Sequence, residues 1–432
     1  MKACPVPSAR FGHADCVKTY PEPEESLMTD LHLMRTLTQR NDTKIVLLVM
    51  DGLGGLPRQP GGPTELEAAN TPHMDRLARE GMLGLMHTVA NGISPGSGPG
   101  HLGLFGYDPL KYVIGRGVLE AVGIGIQLTG EDVAARGNFC TVDKNGVITD
   151  RRAGRISTEE CARMVSLIDD LKIPAAELIV RPVRDYRFTL ILRGPGLSPR
   201  LNETDPQKTG LTPLVVEPQD DTPEAAHTAG LVNWWVNQVR ERIKDQHPAN
   251  MVTLRGWSKE PGLPGFDDVF KLKAAALAVY PMYKGLASLV GMTVIEGLAH
   301  LRDQLDALKK YWTSFDFFFV HYKYTDSRGE DGDFDAKAKE IEKVDEVIPA
   351  ILEQKPDVLV ITGDHSTPAV LKSHSWHPVP VLFWAPGVSR SNPDVMGFGE
   401  SQCLKGALGQ FTAAELMNLV TAHALRQAKY GA

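Results

Sequence analysis

The chain has 432 residues, 42% of them hydrophobic and 23% charged, with a formal net charge of −7. That length and balance suit a globular protein of two or three domains with a large core. The acidic excess argues against general binding to nucleic acid or to an anionic membrane, which needs a basic face, but leaves room for a local basic pocket that takes a small anion.

Residues 1–40 are mixed and polar, with Pro-Glu-Pro-Glu-Glu at 21–25, and read as an N-terminal extension, either a tail or a segment docked on the surface. They show no basic stretch leading into an apolar run, so no signal peptide is expected. Lys44–Asp51 (KIVLLVMD) is a continuous apolar run closed by an acid and then glycines. That is the pattern of a buried parallel strand with its loop at the carboxyl end. Three later segments repeat it: Phe315–His321 before Asp326, Asp357–Thr362 before Asp364 and His365, and Val379–Trp384 after His374. Helical spacing, as in Ile341, Val344, Val347, Ile348 and Ile351, lies between them. Strands alternating with helices predict an α/β fold, a doubly wound sheet with helices on both faces, whose ligands gather at the strands' carboxyl ends.

The middle reads differently. Arg136–Asp143, Arg187–Gly194 and Met251–Gly256 are shorter strands among loops, interrupted by the Pro- and Gly-rich stretches 194–206 and 260–266. A smaller α+β domain is expected here, over 113–258, inserted into a first domain made of 41–112 and 259–432. No apolar stretch nears the roughly 20 residues of a membrane span. The five cysteines, Cys4, Cys16, Cys140, Cys161 and Cys403, are scattered, odd in number and without a Cys-x-x-Cys pair. Reduced thiols in a cytoplasm fit them better than a disulfide framework or a cysteine zinc site.

Several residue groups carry chemistry. Asp51 follows the first strand, where a carboxylate can ligate a divalent cation or simply cap a turn. In Ser94–Asp108 (SPGSGPGHLGLFGYD), glycines flank Ser97 and let a ligand approach it. A serine hydroxyl needs a base or a metal to become a nucleophile; no Gly-x-Ser-x-Gly elbow is present, so metal activation fits better. His101, four residues on, is within reach of a substrate hydroxyl or phosphate. Asp364 and His365, with His374 and His377, follow another strand, and Asp326 and Glu330 a third. Acids and neutral imidazoles together suit Mn²⁺, Zn²⁺, Co²⁺ or Fe²⁺. With Asp51 and Ser97 they offer enough donors for two adjacent metals, which can hold the attacking and leaving oxygens of an in-line phosphoryl transfer. A basic group, Asp150-Arg151-Arg152-Ala-Gly-Arg155 with Arg136, Arg184, Arg187, Arg193 and Arg255, falls in the inserted region, and Lys284 near the return. Guanidinium forks suit a small phosphorylated acid. Asp150 is placed to orient an arginine or accept a substrate proton.

From about Lys44 to the C-terminus these stretches resemble the cofactor-independent phosphoglycerate mutases, archaeal-type branch, of the alkaline phosphatase superfamily. The resemblance rests on VMDGLGG, NTPHMDRLAREG, PGSGPGHLGLFGYDP, GRGVLEAVGIG, DRRAGRI, PANMVTLRGW, FFVHYKYTDSRGEDGD, ITGDHSTP and HSWHPVPVL. It implies an alkaline phosphatase-like domain with two divalent ions, Mn²⁺ first with Mg²⁺, Co²⁺ or Zn²⁺ as alternatives, and no 2,3-bisphosphoglycerate. Asp51, Ser97, Asp364 and His365 would bind one metal, and Asp326, Glu330 and His374 the other. Ser97 would take the phosphoryl group from 3-phosphoglycerate and return it to the other hydroxyl of a trapped glycerate. Arg151, Arg152, Arg155, Arg255 and Lys284 would hold carboxylate and phosphate, with His101 near the serine, and Arg136 and Asn138 nearby.

Two places depart from the pattern. Glu330 stands where a histidine ligand is expected, which keeps a metal donor but adds negative charge. Gly98-Pro99-Gly100 stands where many members of this branch carry Asp-Thr-Ala. These departures keep a second reading open, a phosphate- or phosphonate-ester hydrolase or another small-molecule phosphotransferase on the same scaffold. A non-catalytic metal- or anion-binding protein is a third.

Overall fold

The structure, a computed structural model, describes residues 30–431. Most of the expected N-terminal extension, with Cys4 and Cys16, lies outside the described residues. Its last part is docked. Asp30 caps a helix over Leu31–Leu37, Met34 is buried, and Arg40 pairs with Asp267 at 2.7 Å.

The strands in chain order are β1 (Ile45–Met50), β2 (Met82–His87), β3 (Asp132–Val142), β4 (Ile148–Asp150), β5 (Glu177–Arg184), β6 (Arg187–Arg193), β7 (Met251–Ser258), β8 (Ala274–Leu277), β9 (Thr293–Val294), β10 (Phe317–Tyr322), β11 (Val358–Thr362), β12 (Val379–Trp384) and β13 (Gly409–Thr412). They form two sheets. The larger has eight strands in the order β13-β2-β12-β11-β1-β10-β8-β9. In it β1 lies between β11 and β10, parallel to both, with Val49 level with His321 and Thr362.

Alternate residues of the central strands enter different cores. Ile45, Leu47, Val49, Phe317 and Phe319 pack on one face; Val46, Leu48, Met50, Phe318 and Val320 pack on the other. A strand buried on both faces has to be apolar at every position, which is why these runs are continuous. The α/β sheet covered on both sides is therefore as the sequence implies. One strand is not. β12 was expected to follow the parallel theme, but it runs antiparallel to both β11 and β2. Residues 363–378 between β11 and β12 contain no helix. Without a crossover element the chain can only turn back and pair antiparallel. The helical spacing over 341–351 is likewise split, into helices Phe334–Asp345 and Ile348–Leu352, with Pro349 in the first turn of the second.

The second sheet comes from residues 132–258 and is antiparallel: β4-β3-β6-β5, with β7 also on β3. Its core, including Phe139, Phe188, Trp235 and Val239, is filled by helices Thr158–Ser166 and Pro223–Ile243. Helix Arg116–Gly123 joins the two parts. Gly117 lies so close to the sheet that a Cβ there would come within 2.2 Å of the Ala134 carbonyl oxygen. On its other side, a Cβ on Gly285 of helix Pro281–Leu289 would come within 2.6 Å of Val122. Glycine at these two points lets three elements pack tightly.

Candidate active site

The parallel arrangement puts the ends of β1, β10 and β11 side by side, and the acids beyond them converge. Asp51, Asp326 and Asp364 are each no more than 1% exposed. His365 sits among them. Its Nε2 is 3.2 Å from Asp51 Oδ1, 3.3 Å from Asp364 Oδ2 and 3.1 Å from the hydroxyl of Ser97. Its Nδ1 faces Asp326 Oδ1 at 3.9 Å. His374 stacks on the His365 ring at 3.6 Å and brings Nε2 to 3.6 Å from Asp326.

Two ligand sets result, Asp51–Asp364–His365 and Asp326–His365–His374, with the donor atoms of each set within 4.8 Å of one another. Ser97 heads helix Ser97–Leu104 and reaches the first set. Its loop can come this close because Gly100 packs on the Asp364 backbone, where a Cβ would come within 2.2 Å of the carbonyl oxygen. Glu330 is further out. Its carboxylate is 3.8 Å from His374 Nε2 and its side chain is 56% exposed, at the open edge of the second set.

Among the described residues, Lys323 is the lysine that ion-pairs directly with these buried carboxylates. Lys323 lies 3.1 Å from Asp51 Oδ2 and also bonds Asp326. The rest of the field acts on imidazole. Burial would lower the pKa of His365, but the charges of Asp364, Asp51 and Asp326 overcome it and push it up to about 9. Burial would raise Asp51, yet hydrogen bonds from His321 and His365 and the Lys323 charge hold it well below the usual carboxylate range. Asp51 Oδ1 and Asp364 Oδ2 are buried without a well-formed hydrogen bond among the described residues. Buried charge left uncompensated costs several kcal/mol per ion. A cluster with this sign and this donor set, whose buried carboxylate oxygens face mainly imidazole nitrogens, fits divalent cations.

Behind the acids lies a layer that sequence reasoning missed. Tyr283 donates to Asp51 and stacks on His321 at 3.7 Å. His321 Nε2 is 3.2 Å from Asp51 Oδ2, and burial lowers its pKa. The Thr367 hydroxyl donates to Asp326 Oδ1 at 2.7 Å and lies 2.9 Å from His365 Nδ1. The one available signal was a polar residue closing an apolar run, as His321 follows Phe317–Val320. His101 belongs to this layer too. It is fully buried, with Nδ1 2.8 Å from the Ser97 carbonyl and 3.1 Å from Asp364, and is turned inward. His377 bonds Ser375 and is not in either ligand set.

The basic residues divide. Arg136, Asn138, Arg151, Arg152 and Arg255 line one cavity of about 230 Å³, with Arg116, Tyr186 and Gln207. Burial lowers the pKa of Arg136; Glu120, 3.5 Å away, opposes that, and the charges of Arg187, Arg116 and Arg255 add to it. Among the described residues, Arg136 Nε, Arg255 Nε and the Asn138 side-chain carbonyl are buried without a hydrogen-bond partner. Such a cavity is prepared for an anion with several acceptor oxygens. Arg151 is braced by Asp205 through two bonds of 2.7 and 3.0 Å. Asp150 accepts from the Arg152 and Gly154 backbone N–H groups and shapes that turn. Arg155 is exposed and Lys284 pairs with Glu296 at 2.7 Å; neither lines this cavity. Arg193 is bound to Asp132, and Arg184 and Arg187 are not among the lining residues.

The sequence model of the family described as 2,3-bisphosphoglycerate-independent phosphoglycerate mutase matches residues 78–250. A Thermus thermophilus protein named "Probable 2,3-bisphosphoglycerate-independent phosphoglycerate mutase" is 50% identical over 406 residues, covering 93% of this chain and 99% of its own. A Thermotoga neapolitana protein of the same name is 51% identical over 398 residues, covering 92% and 98%. Among solved structures, the cofactor-independent phosphoglycerate mutase of Thermoplasma acidophilum is 30% identical with a TM-score of 0.67, covering 88% of this chain and all of that one. A Pyrococcus horikoshii protein matches at 30% identity and a TM-score of 0.77, covering 91% and 100%.

Proposed function

The chain belongs to the 2,3-bisphosphoglycerate-independent phosphoglycerate mutase family and is an isomerase acting on phosphoglycerate, and we propose that Ser97 carries the phosphoryl group between the two hydroxyls of glycerate. The observation that supports this reading is the Ser97 hydroxyl 3.1 Å from His365 Nε2, at the edge of the Asp51–Asp364 carboxylates. The family implies divalent metal. In our reading there are two ions, Mn²⁺ first, with Asp51, Asp364, His365 and Ser97 around one and Asp326, His374 and Glu330 around the other. Bound there, they supply positive charge that lowers the pKa of the serine hydroxyl and offsets charge on the transferring phosphoryl.

The chain's own residues do the rest. Ser97 gives up its hydroxyl proton as Oγ bonds to phosphorus, the phosphorus–oxygen bond to glycerate breaks, and the freed glycerate oxygen takes up a proton. The reverse attack by the other hydroxyl restores Ser97. The glycerate must stay bound between the two steps. That retention falls to the Arg116, Arg136, Arg151, Arg152 and Arg255 cavity, whose forks match carboxylate and phosphate oxygens. In the same reading Lys284 would hold carboxylate or phosphate, as the family resemblance implies, and Asp150 would orient an arginine or accept a substrate proton. Region 113–258 would be the substrate-binding domain, and its closure on the metal-binding part would exclude water, which otherwise turns transfer into hydrolysis. Cys140, Cys161 and Cys403 are buried free thiols, which fits a cytoplasmic location. Among the described residues no helix is long and apolar enough to cross a membrane.

Purified protein supplied with Mn²⁺ should interconvert 3- and 2-phosphoglycerate without added 2,3-bisphosphoglycerate, and Ser97→Ala should abolish this. An unchanged rate in Ser97→Ala removes the covalent route. Release of inorganic phosphate in place of the isomer selects a hydrolase.

A further inference from the structure

Behind the metal-ligand loops lies a charged group with no part in the chemistry above. Lys337, on helix Phe334–Asp345, is fully buried. Its ammonium donates to the carbonyl of Gly54 at 3.0 Å and to that of Thr367 at 2.8 Å. Gly54 lies three residues beyond Asp51, and Thr367 two beyond His365. One side chain from a third element thus holds both ligand-bearing loops. Glu65, also fully buried, does the same with opposite polarity. It accepts from the N–H of Leu56 in the first loop at 3.0 Å and of Ala369 in the second at 2.7 Å.

We propose that Lys337, seconded by Glu65, is a positioning residue for the metal centre: its ammonium fixes the distance between the loop carrying Asp51 and the loop carrying Asp364 and His365. The inference rests on the metal-site reading above. The two loops touch directly here. A Cβ on Gly54 would come within 1.9 Å of the Ser366 hydroxyl, and the Thr367 N–H donates to the Gly54 carbonyl at 3.0 Å. Thr367 passes the constraint on, because its hydroxyl bonds both Asp326 and His365. Moving Thr367 therefore disturbs donors of both ligand sets. A buried ammonium is expensive to desolvate, and an apolar chain of the same length would fill the volume without that cost. What it could not do is donate: the Thr367 carbonyl would lose the ammonium and the Gly54 carbonyl would keep only the Thr367 N–H, so the loops would shift to bring the Thr367 carbonyl to water. Groups that orient metal ligands from behind typically change metal affinity by about 10- to 100-fold when removed.

The test uses the full-length protein, Lys337→Met and Glu65→Gln, with Mn²⁺ alone as the probe. Calorimetric titration gives the Mn²⁺ dissociation constant, and melting is followed in EDTA and in saturating Mn²⁺. The wild type should bind Mn²⁺ and melt higher with it. Lys337→Met should bind about 10- to 100-fold more weakly and show a smaller metal-dependent rise in melting temperature. A variant with an unchanged dissociation constant, melting lower by the same amount with and without Mn²⁺, makes Lys337 a scaffold residue and overturns the proposal. If Lys337→Met does not fold, Glu65→Gln decides by the same criterion. A wild type that binds no Mn²⁺ overturns the metal-site reading itself.

Discussion

Asp51, Asp326 and Asp364 leave three different strands, and each alone would be an ordinary turn acid. Together and buried, they hold His365 protonated up to about pH 9, so the same field that draws a proton to the imidazole suits divalent cations. The arginine cavity is the mirror case, with like positive charges held close before any anion arrives. Such sites trade stability for function. Arg136 shows the trade, because burial and its cationic neighbours together disfavour its charged form in spite of Glu120. Arg136→Gln should leave the melting temperature unchanged or raised, while KM for phosphoglycerate rises about 10- to 100-fold, as for a lost charge-assisted hydrogen bond. A clear drop in melting temperature with an unchanged KM would make Arg136 a structural residue. Asp51, Ser97, Asp364, His365, Asp326 and His374 were legible in the sequence, since each lies just beyond an apolar run or in a glycine-rich or polar turn. Tyr283, His321, Lys323 and Thr367 were not. Apart from the position of His321 after an apolar run, nothing in their local spacing distinguishes them from ordinary core or loop residues until three strands lie side by side.

Among the elements, helix Arg116–Gly123 has the most consequence for its size. It carries Arg116 into the anion cavity and packs between the second sheet and helix Pro281–Leu289, which holds Tyr283 against Asp51. Gly117→Ala adds one methyl where the Ala134 carbonyl oxygen would be 2.2 Å away. Backbone cannot step aside as a side chain can, so the variant should lose about 1–3 kcal/mol of stability. Thermal and urea unfolding check this; a loss within about 0.5 kcal/mol, the spread of a neutral surface change, refutes the close packing. The runs of β1, β10 and β11 announced themselves, because a strand covered on both faces cannot tolerate a polar residue in its middle. The direction of β12 was hidden. Its composition is that of a buried strand either way, and only the lack of a helix in 363–378 turns it back.

On the scale of the molecule, the second sheet has a core drawn from Val133 to Leu254, while helix Arg116–Gly123 places Leu119 in the core of the first sheet. The second sheet is antiparallel and drawn from one continuous stretch, so its strand pairing closes within that stretch. Residues 113–258 expressed alone should therefore unfold cooperatively in urea, and a broad, non-cooperative transition would show that the region depends on the rest of the chain. The sequence by itself determined the α/β class, the order of the ligand-bearing loops, the candidate nucleophile and the arginine-rich middle. All of these are set by local composition: whether a run is apolar throughout, and which polar residues come directly after it. Only the tertiary structure decided which histidine both candidate ligand sets share, which arginines face one cavity, that His101 turns inward, and that Lys337 and Glu65 bridge the loops from behind. Those outcomes depend on contacts between residues far apart along the chain. Such contacts leave no periodic trace, because they are fixed by how strands order in the sheet and not by a residue's neighbours in sequence.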